Sequence, residues 1–270
     1  MTTLHARSIS FGYARRSICR DLSLAVQPGL ITAIVGRNGC GKSTLLKAML
    51  GLIRTTAGVV ELDGRPLRRW SRREVARRIA YLPQSPVAPQ GLTVRELVSL
   101  GRYPHRRLTG NNPRQDREVV ANSLAHCEIQ HLAERAVSTL SGGERQRAWI
   151  ATVLAQDSPL VLLDEPITAL DIQHQLQVMT LLRALNQQHG LTVCMVLHDI
   201  NLALRYCDHL VAMRDGEIRY DQRVDELPWA ALMEDVFGVH ATPLAGAANA
   251  RPTLDFTLFP DSSPLTNDNR

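Results

Sequence analysis

Lysine is almost absent: of the 31 basic residues only Lys42 and Lys47 are lysines, and the rest are arginines. Phe, Trp and Tyr make up 4% of the 270 residues, which leaves little from which to build a base-stacking surface for nucleic acid. No uninterrupted apolar run approaches the roughly 18–20 residues that cross a bilayer. A role at a membrane therefore requires another chain as tether. The five cysteines, Cys19, Cys40, Cys127, Cys194 and Cys207, are odd in number and scattered, with no C-x-x-C pair. That pattern indicates neither a disulfide framework nor a zinc site, and it fits a reducing compartment. Met1 to Arg7 lacks the apolar core of a secretory signal. The expectation is a soluble, cytoplasmic chain.

What is present is ordinary globular usage: 44% hydrophobic and 21% charged residues. The length suits one α/β domain carrying a subdomain, or two average domains. The net charge of +5 comes from arginine, and its densest run is Arg65 to Arg78. A solvated helix face is the first reading of that run; anionic headgroups, a membrane partner or nucleic acid are its alternatives.

Apolar strands alternate with helices along much of the chain. Leu22, Leu24 and Val26 alternate ahead of a Pro28-Gly29 turn, and Leu30 to Val35 reads as a central strand. Val59 to Leu62, Leu160 to Leu163 and Val193 to Leu197 read as further strands. Leu45, Leu46, Met49 and Leu50 fall at helical spacing, and Ile172 to about Gln188 reads as a long helix. The pattern predicts an α/β fold with a mostly parallel core sheet and an N-terminal antiparallel β part. Leu210 to Met213 and Ile218 to Tyr220 flank Asp215-Gly216, a hairpin signal. The main domain is expected over 1–240, with a helical subdomain inserted at about 85–158. In the extension 241–270, Pro252 to Phe259 can add an edge strand, and Asp261 to Arg270 reads as a disordered tail.

Gly36-Arg37-Asn38-Gly39-Cys40-Gly41-Lys42-Ser43 fits G-x-x-x-x-G-K-[ST] and lies between a predicted strand and a predicted helix, the context the motif requires. The glycines let successive backbone N–H groups turn toward phosphate oxygens, and the helix start adds its positive end. Lys42 can reach the outer phosphates, and Ser43 can place a hydroxyl on Mg²⁺. Gly36, Asn38, Gly39, Cys40, Gly41, Lys42, Ser43 and Thr44 are thus the candidate nucleotide-binding run, with Cys40 as a small filler. Leu160 to Leu163 ends in Asp164-Glu165. Strand C-terminal ends face the ligand crevice in a parallel sheet. Asp164 can therefore meet Mg²⁺ beside Ser43, and Glu165 can act as general base on an attacking water. In Leu140-Ser141-Gly142-Gly143-Glu144, the Ser141-x-x-Glu144 spacing is a capping box opening a helix, and the glycines also allow an anion to approach.

At this point the motifs resemble the ATP-binding-cassette (ABC) ATPases, whose LSGGQ-like signature stands here as Leu140 to Glu144. Glu144 in place of Gln keeps the capping geometry and adds negative charge, with Arg145 or Arg147 placed to offset it. Further likenesses follow in the family's order. Tyr13 resembles the aromatic that stacks on adenine, and Gln84, in Tyr81-Leu82-Pro83-Gln84, the Q-loop glutamine that contacts Mg²⁺. Ala169-Leu170-Asp171 resembles the D-loop, and His198 the switch histidine at the γ-phosphate. Ile167 stands where the family commonly has threonine.

The resemblance implies a P-loop NTPase of ABC type that hydrolyses ATP with Mg²⁺. It implies a dimer with a second copy, in which Ser141, Gly142, Gly143 and Asp171 complete the partner's site. One P-loop, one signature and no heptad insertion favour a transporter subunit over a soluble ABC ATPase acting on nucleic acid. Gly101-Arg102-Tyr103-Pro104-His105, Arg145 to Ala151 and Leu197 to Asn201 resemble the subfamily that serves iron-siderophore, haem and cobalamin importers. Ferric siderophore uptake is the first reading, with haem or cobalamin as alternatives. The implied partners are integral-membrane permease subunits and, indirectly, a substrate-binding protein; nucleic acid is not expected. The implied location is the cytoplasmic face of the inner membrane, peripheral through the permease.

Overall fold

The computed structural model describes residues 2–13, 16–106, 112–168, 170–244 and 253–258. The chain runs β1 (Leu4–Tyr13), β2 (Arg16–Val26), β3 (Ile31–Gly36), α1 (Lys42–Met49), β4 (Thr55–Leu62), β5 (Arg65–Pro66), α2 (Arg72–Ala76) and β6 (Ile79–Leu82). It continues through α3 (Val94–Leu100), α4 (Pro113–His126), α5 (Gly142–Ala155), β7 (Leu160–Asp164), α6 (Ile172–His189), β8 (Thr192–Val196) and α7 (Ile200–Tyr206). It closes with β9 (His209–Arg214), β10 (Glu217–Arg223), α8 (Trp229–Leu232), β11 (His240–Leu244) and β12 (Thr253–Thr257).

Strands β3, β7 and β8 are buried at every position, as the apolar runs require of strands covered on both faces. They form the centre of a six-stranded sheet of order β10-β9-β3-β8-β7-β6. All its pairings are parallel except that of β9 with β10. Asp215 and Gly216 both take positive φ between those two, the geometry that an Asp-Gly hairpin turn needs. Alternate residues of the central strands enter opposite cores. Ile31, Ala33, Val161, Leu163, Val193 and Met195 pack toward the helices. Ile34, Leu160, Leu162, Cys194 and Val196 pack with α1 against a second, antiparallel sheet of order β2-β1-β4-β5. Leu162 is fully enclosed, so its truncation to Ala costs about 2–5 kcal/mol.

Between β6 and β7 the chain makes α3, α4 and α5. Capping boxes start α3 at Thr93 with Glu96 and α5 at Ser141 with Glu144. Arg102 lies buried among these helices. Its guanidinium donates to Asp116 Oδ1 at 2.8 Å and to the Ala155 carbonyl at 2.9 Å, while His105 Nε2 meets the Gln156 carbonyl at 2.8 Å. The run Gly101 to His105 is therefore a fastener within the helical part.

Two features differ from the sequence reading. The run Arg65 to Arg78 is not one solvated helix face, since α2 is a single short helix within it. Arg73 and Arg77 both donate through Nε to the Pro104 carbonyl, at 2.9 and 2.8 Å. Arg65 and Arg78 lie over the Trp70 ring, and Arg78 also pairs with Asp63 at 2.6 Å. The predicted edge strand is β12, yet it does not join the core sheet. It pairs antiparallel with β11 as a separate two-stranded hairpin. Pro252, Phe259 and the tail Asp261 to Arg270 lie outside the described residues.

Candidate functional site

Strand β3 delivers Gly36 at its C-terminal end, and the chain turns tightly before α1. A Cβ on Gly36 would stand 2.2 Å from the Met213 carbonyl oxygen, and one on Gly41 2.9 Å from Ile18 Cγ2. Their φ values of +147° and +108° add to that constraint, so only glycine fits at either position. Gly41 caps α1 without any side-chain hydrogen bond, and no acid lies in the first turn. The helix N–H groups are thus left for an anion. Asn38 and Gly39 are exposed on the turn, while Thr44 is half-buried beside Ser43. Cys40 is buried as a filler, and burial pushes its thiol above the ordinary range. Lys42 is also buried; its Nζ donates to the carbonyls of Gly36 at 2.8 Å and Arg37 at 3.0 Å.

Asp164 ends β7 almost fully enclosed. Ser43 Oγ donates to its Oδ1 at 2.6 Å, and the Tyr81 hydroxyl donates to Oδ2 at 3.4 Å. Burial raises the Asp164 carboxyl above the usual range, with the Ser43 hydrogen bond and Lys47 pulling the other way. A carboxylate and a hydroxyl side by side are hard oxygen donors. They suit Mg²⁺, which takes one or two protein ligands and completes its shell with phosphate oxygens and water. Among the described residues no group of three or more His, Cys, Asp or Glu side chains is arranged to hold a metal ion, and such a phosphate-assisted site does not need one.

Glu165, the next residue, has φ +53°, so the backbone turns left-handed and sends its carboxylate away from Asp164. Its Oε1 lies 2.7 Å from His198 Nε2. Its Oε2 accepts from Gln84 Nε2 at 2.7 Å and from Thr168 Oγ1 at 3.3 Å. Gln84 follows β6, Glu165 follows β7 and His198 follows β8. Three adjacent strand ends thus bring together residues far apart in the chain. In this arrangement Gln84 faces Glu165 rather than the Ser43–Asp164 pair.

The signature residues stand at the start of α5. Ser141 Oγ accepts from Glu144 N, and Glu144 Oε2 accepts from Ser141 N at 2.8 Å. Hydrogen bonds to the Glu144 carboxylate from the Ser141 backbone N–H and from the Ser141 side chain, and then Arg135 and Arg147, hold that carboxyl below its usual range. Arg135 is its ion-pair partner at 3.8 Å; Arg145, one of the two cations expected there, is not among them. Asp171 caps α6, and its Oδ1 accepts from both His174 N and Nδ1. The His174 ring lies 3.6 Å from where a Gly143 side chain would begin. Ser141 and Gly142 are exposed, and the hydrogen bonds of Ser141 and Asp171 stay within their own helix starts. Tyr13 ends β1 opposite Arg16; its side chain, like Ala169 of the D-loop, lies outside the described residues.

Sequence reasoning did not single out Thr168, Gln146 or Gln175. Gln146 on α5 donates to the Pro166 carbonyl at 2.6 Å, and Gln175 on α6 donates to the Leu170 carbonyl at 3.0 Å. Together they clamp the segment that follows Glu165. A glutamine bonded to a carbonyl leaves no pattern of residue types, whereas Thr168 could have been noticed three residues beyond Glu165.

Known proteins resemble this chain along most of its length. A family model described as ABC transporter matches residues 19–168. The achromobactin transport ATP-binding protein CbrD of Dickeya dadantii is 46% identical over 239 residues, covering 88% of this chain and 89% of that protein. The iron(3+)-hydroxamate import ATP-binding protein FhuC of Bacillus subtilis is 40% identical over 266 residues, 98% of this chain and 99% of its own length. Among solved structures, a metal-chelate type ABC transporter in an inward-facing conformation superposes with TM-score 0.80 at 26% identity, covering 95% of this chain and 97% of that one. The dimeric post-hydrolysis cassette MJ0796 bound to ADP and Pi superposes with TM-score 0.73 at 28% identity, covering 82% and 98%. With a family match over more than half its length and relatives aligned nearly end to end, this chain belongs to the ABC transporter family, as one of its ATP-hydrolysing subunits.

Proposed function

We propose that this chain drives a membrane importer for ferric siderophores, working as a dimer on permease subunits. The observation that carries the hydrolytic part is the Gln84–Glu165–His198 group beside the Ser43–Asp164 pair. The iron and siderophore assignment rests on relatives named for achromobactin transport and iron(3+)-hydroxamate import.

In this reading the phosphates of ATP lie on the turn Gly36 to Thr44, and the Lys42 ammonium exchanges its carbonyl partners for the outer phosphate oxygens. Ser43 and Asp164 would hold Mg²⁺, which when bound neutralises charge on the phosphates; Gln84 would join them only by turning its amide away from Glu165. Glu165 takes the proton of the attacking water, held in place by Gln84 and His198 on its two oxygens. His198 turns its other contacts toward the γ-phosphate, and Tyr13 stacks on adenine. Ser141, Gly142, Gly143 and Asp171 of one copy complete the site of the other, so hydrolysis waits on dimer closure. The dimeric MJ0796 cassette supports that arrangement. A substrate-binding protein delivers cargo to the permease on the far side of the membrane.

Cells lacking this chain test the assignment. Radioiron supplied as a ferric hydroxamate or ferric catecholate should no longer accumulate, and the wild-type gene should restore uptake where Glu165→Gln does not. Intact iron uptake together with lost haem uptake would reassign the importer.

A further inference from the structure

The C-terminal part of the chain is tied to two catalytic loops by side chains that the reaction itself does not use. Asn201, second residue of α7, makes a fork to one residue of β12. Its Nδ2 donates to the Leu254 carbonyl at 3.1 Å, and its Oδ1 accepts from the Leu254 N–H at 2.8 Å. Leu254 is otherwise buried, in the same core cluster as Ile200, Ala203 and Leu204 of α7. Only Asp199 separates His198 from α7, and Asp199 caps that helix through Leu202 N at 2.9 Å. The second tie lies at the phosphate turn. Arg37, one residue beyond Gly36, donates through Nη2 to the Phe237 carbonyl. The segment ending at Phe237 is in turn held by Arg214, which donates to the backbone and side chain of Asp235 at 2.8 Å.

An amide side chain that pairs with both polar groups of one backbone residue acts as an extra strand rung. Such a fork satisfies two groups at once, and it holds the N-terminal turn of α7 against the hairpin. The orphan N–H and C=O of Leu254 would otherwise be left half-buried without partners. At the other tie, a guanidinium on a peptide carbonyl is a charge-assisted bond. It restrains a turn whose remaining neighbours are mostly glycine.

We propose that the segment ending at Phe237 and strand β12 form a positioning element of the ATP site, β12 holding the loop of His198 through Asn201 and Phe237 holding the phosphate turn through Arg37. This rests on the proposed roles of His198 and of the turn. Asn201 and Arg37 are positioning residues with different consequences. Loosening the His198 loop impairs the chemical step, whereas loosening the phosphate turn impairs nucleotide capture.

The test uses the full-length chain as Asn201→Ala and as Arg37→Ala, each compared with wild type for steady-state ATPase and for equilibrium binding of a fluorescent ATP analogue. Asn201→Ala should lower kcat at least fivefold with KM and binding stoichiometry unchanged, and should speed amide exchange in the peptide Leu197 to Leu204. Arg37→Ala should raise KM at least fivefold with kcat within twofold. The opposite split is the signature of positioning; general destabilisation would move both variants the same way. Kinetics within twofold of wild type in both, or a kcat loss matched by lost binding stoichiometry, would overturn the proposal. A wild-type chain that binds the analogue but never hydrolyses ATP, even with its permease, would count instead against the proposed function.

Discussion

His198 Nε2 and Glu165 Oε1 stand 2.7 Å apart, joining the residue after β8 to the residue after β7 across adjacent strands. The second oxygen of the same carboxylate is taken by Gln84, after β6. A general base needs a fixed direction as well as a suitable basicity, and here it is fixed from both sides by groups whose strands are rigid. Replacing His198 by Ala frees one oxygen and removes a donor from the phosphate side. ATP turnover should fall by about 100-fold while nucleotide binding, read by titration, stays within a few-fold. Turnover near wild type would show that the histidine is structural.

Two glycines of the site should respond oppositely to the same methyl group. A Cβ on Gly143 meets the His174 ring at 3.6 Å, ordinary contact, whereas one on Gly41 meets Ile18 at 2.9 Å at φ +108°. Gly143→Ala should therefore keep its stability within about 0.5 kcal/mol and lose activity only where a second copy approaches. Gly41→Ala should lose nucleotide binding in the isolated chain. Thermal melts and ATP titrations on both variants check this, and equal binding defects would contradict it.

The buried Asp164 gives a pH dependence of known sign. Burial raises its folded carboxyl above the ordinary value, so the unfolded chain releases this proton at lower pH than the native state does. The stability contributed by Asp164 is thus greatest in acid and is lost as pH rises from the ordinary value through the raised one. Asp164→Asn removes the penalty and keeps an acceptor for Ser43. Without nucleotide, the variant should melt at least about 2 °C above wild type at pH 7, the difference shrinking in acid. Its Mg²⁺-dependent stabilisation by ATP should disappear. A difference that does not change with pH would refute the buried-carboxylate account.

Arg102 should matter for folding and not for cargo. Its guanidinium is 4% exposed and bonds Asp116 and the Ala155 carbonyl. Arg102→Met leaves both without their donor and should cost about 3 kcal/mol in urea unfolding, with ATP affinity of the folded fraction unchanged. An unchanged urea midpoint would show that the fastener carries no load.

The parts of this molecule legible in the sequence are those where chemistry and pattern coincide. The apolar runs of β3, β7 and β8 end in Gly36, Asp164 and, two residues on, His198, so strand and site are read together. The Ser141–Glu144 box was legible because capping needs particular side chains at fixed spacing. What escaped are contacts whose acceptor is a backbone carbonyl. Pro104 receives Arg73 and Arg77, Phe237 receives Arg37, and Leu254 receives Asn201 from 53 residues away. A carbonyl is the same in every residue, so no residue type announces it. The arginine run looked like a free surface for that reason. Of the cations expected beside Glu144, Arg147 acts on it, whereas Arg145 is adjacent in sequence and so faces another side of α5; the ion-pair partner Arg135, which arrives from the preceding loop, escaped.

Glu165 as the base is the centre of the proposed mechanism. The measurement is ATP turnover by the purified complex of this chain with its permease, wild type against Glu165→Gln, with bound nucleotide counted in parallel. Glutamine preserves shape and can still meet Gln84, but it accepts no proton. Turnover should drop by at least about 100-fold with ATP retained at one per chain. Turnover within a few-fold of wild type would contradict the account.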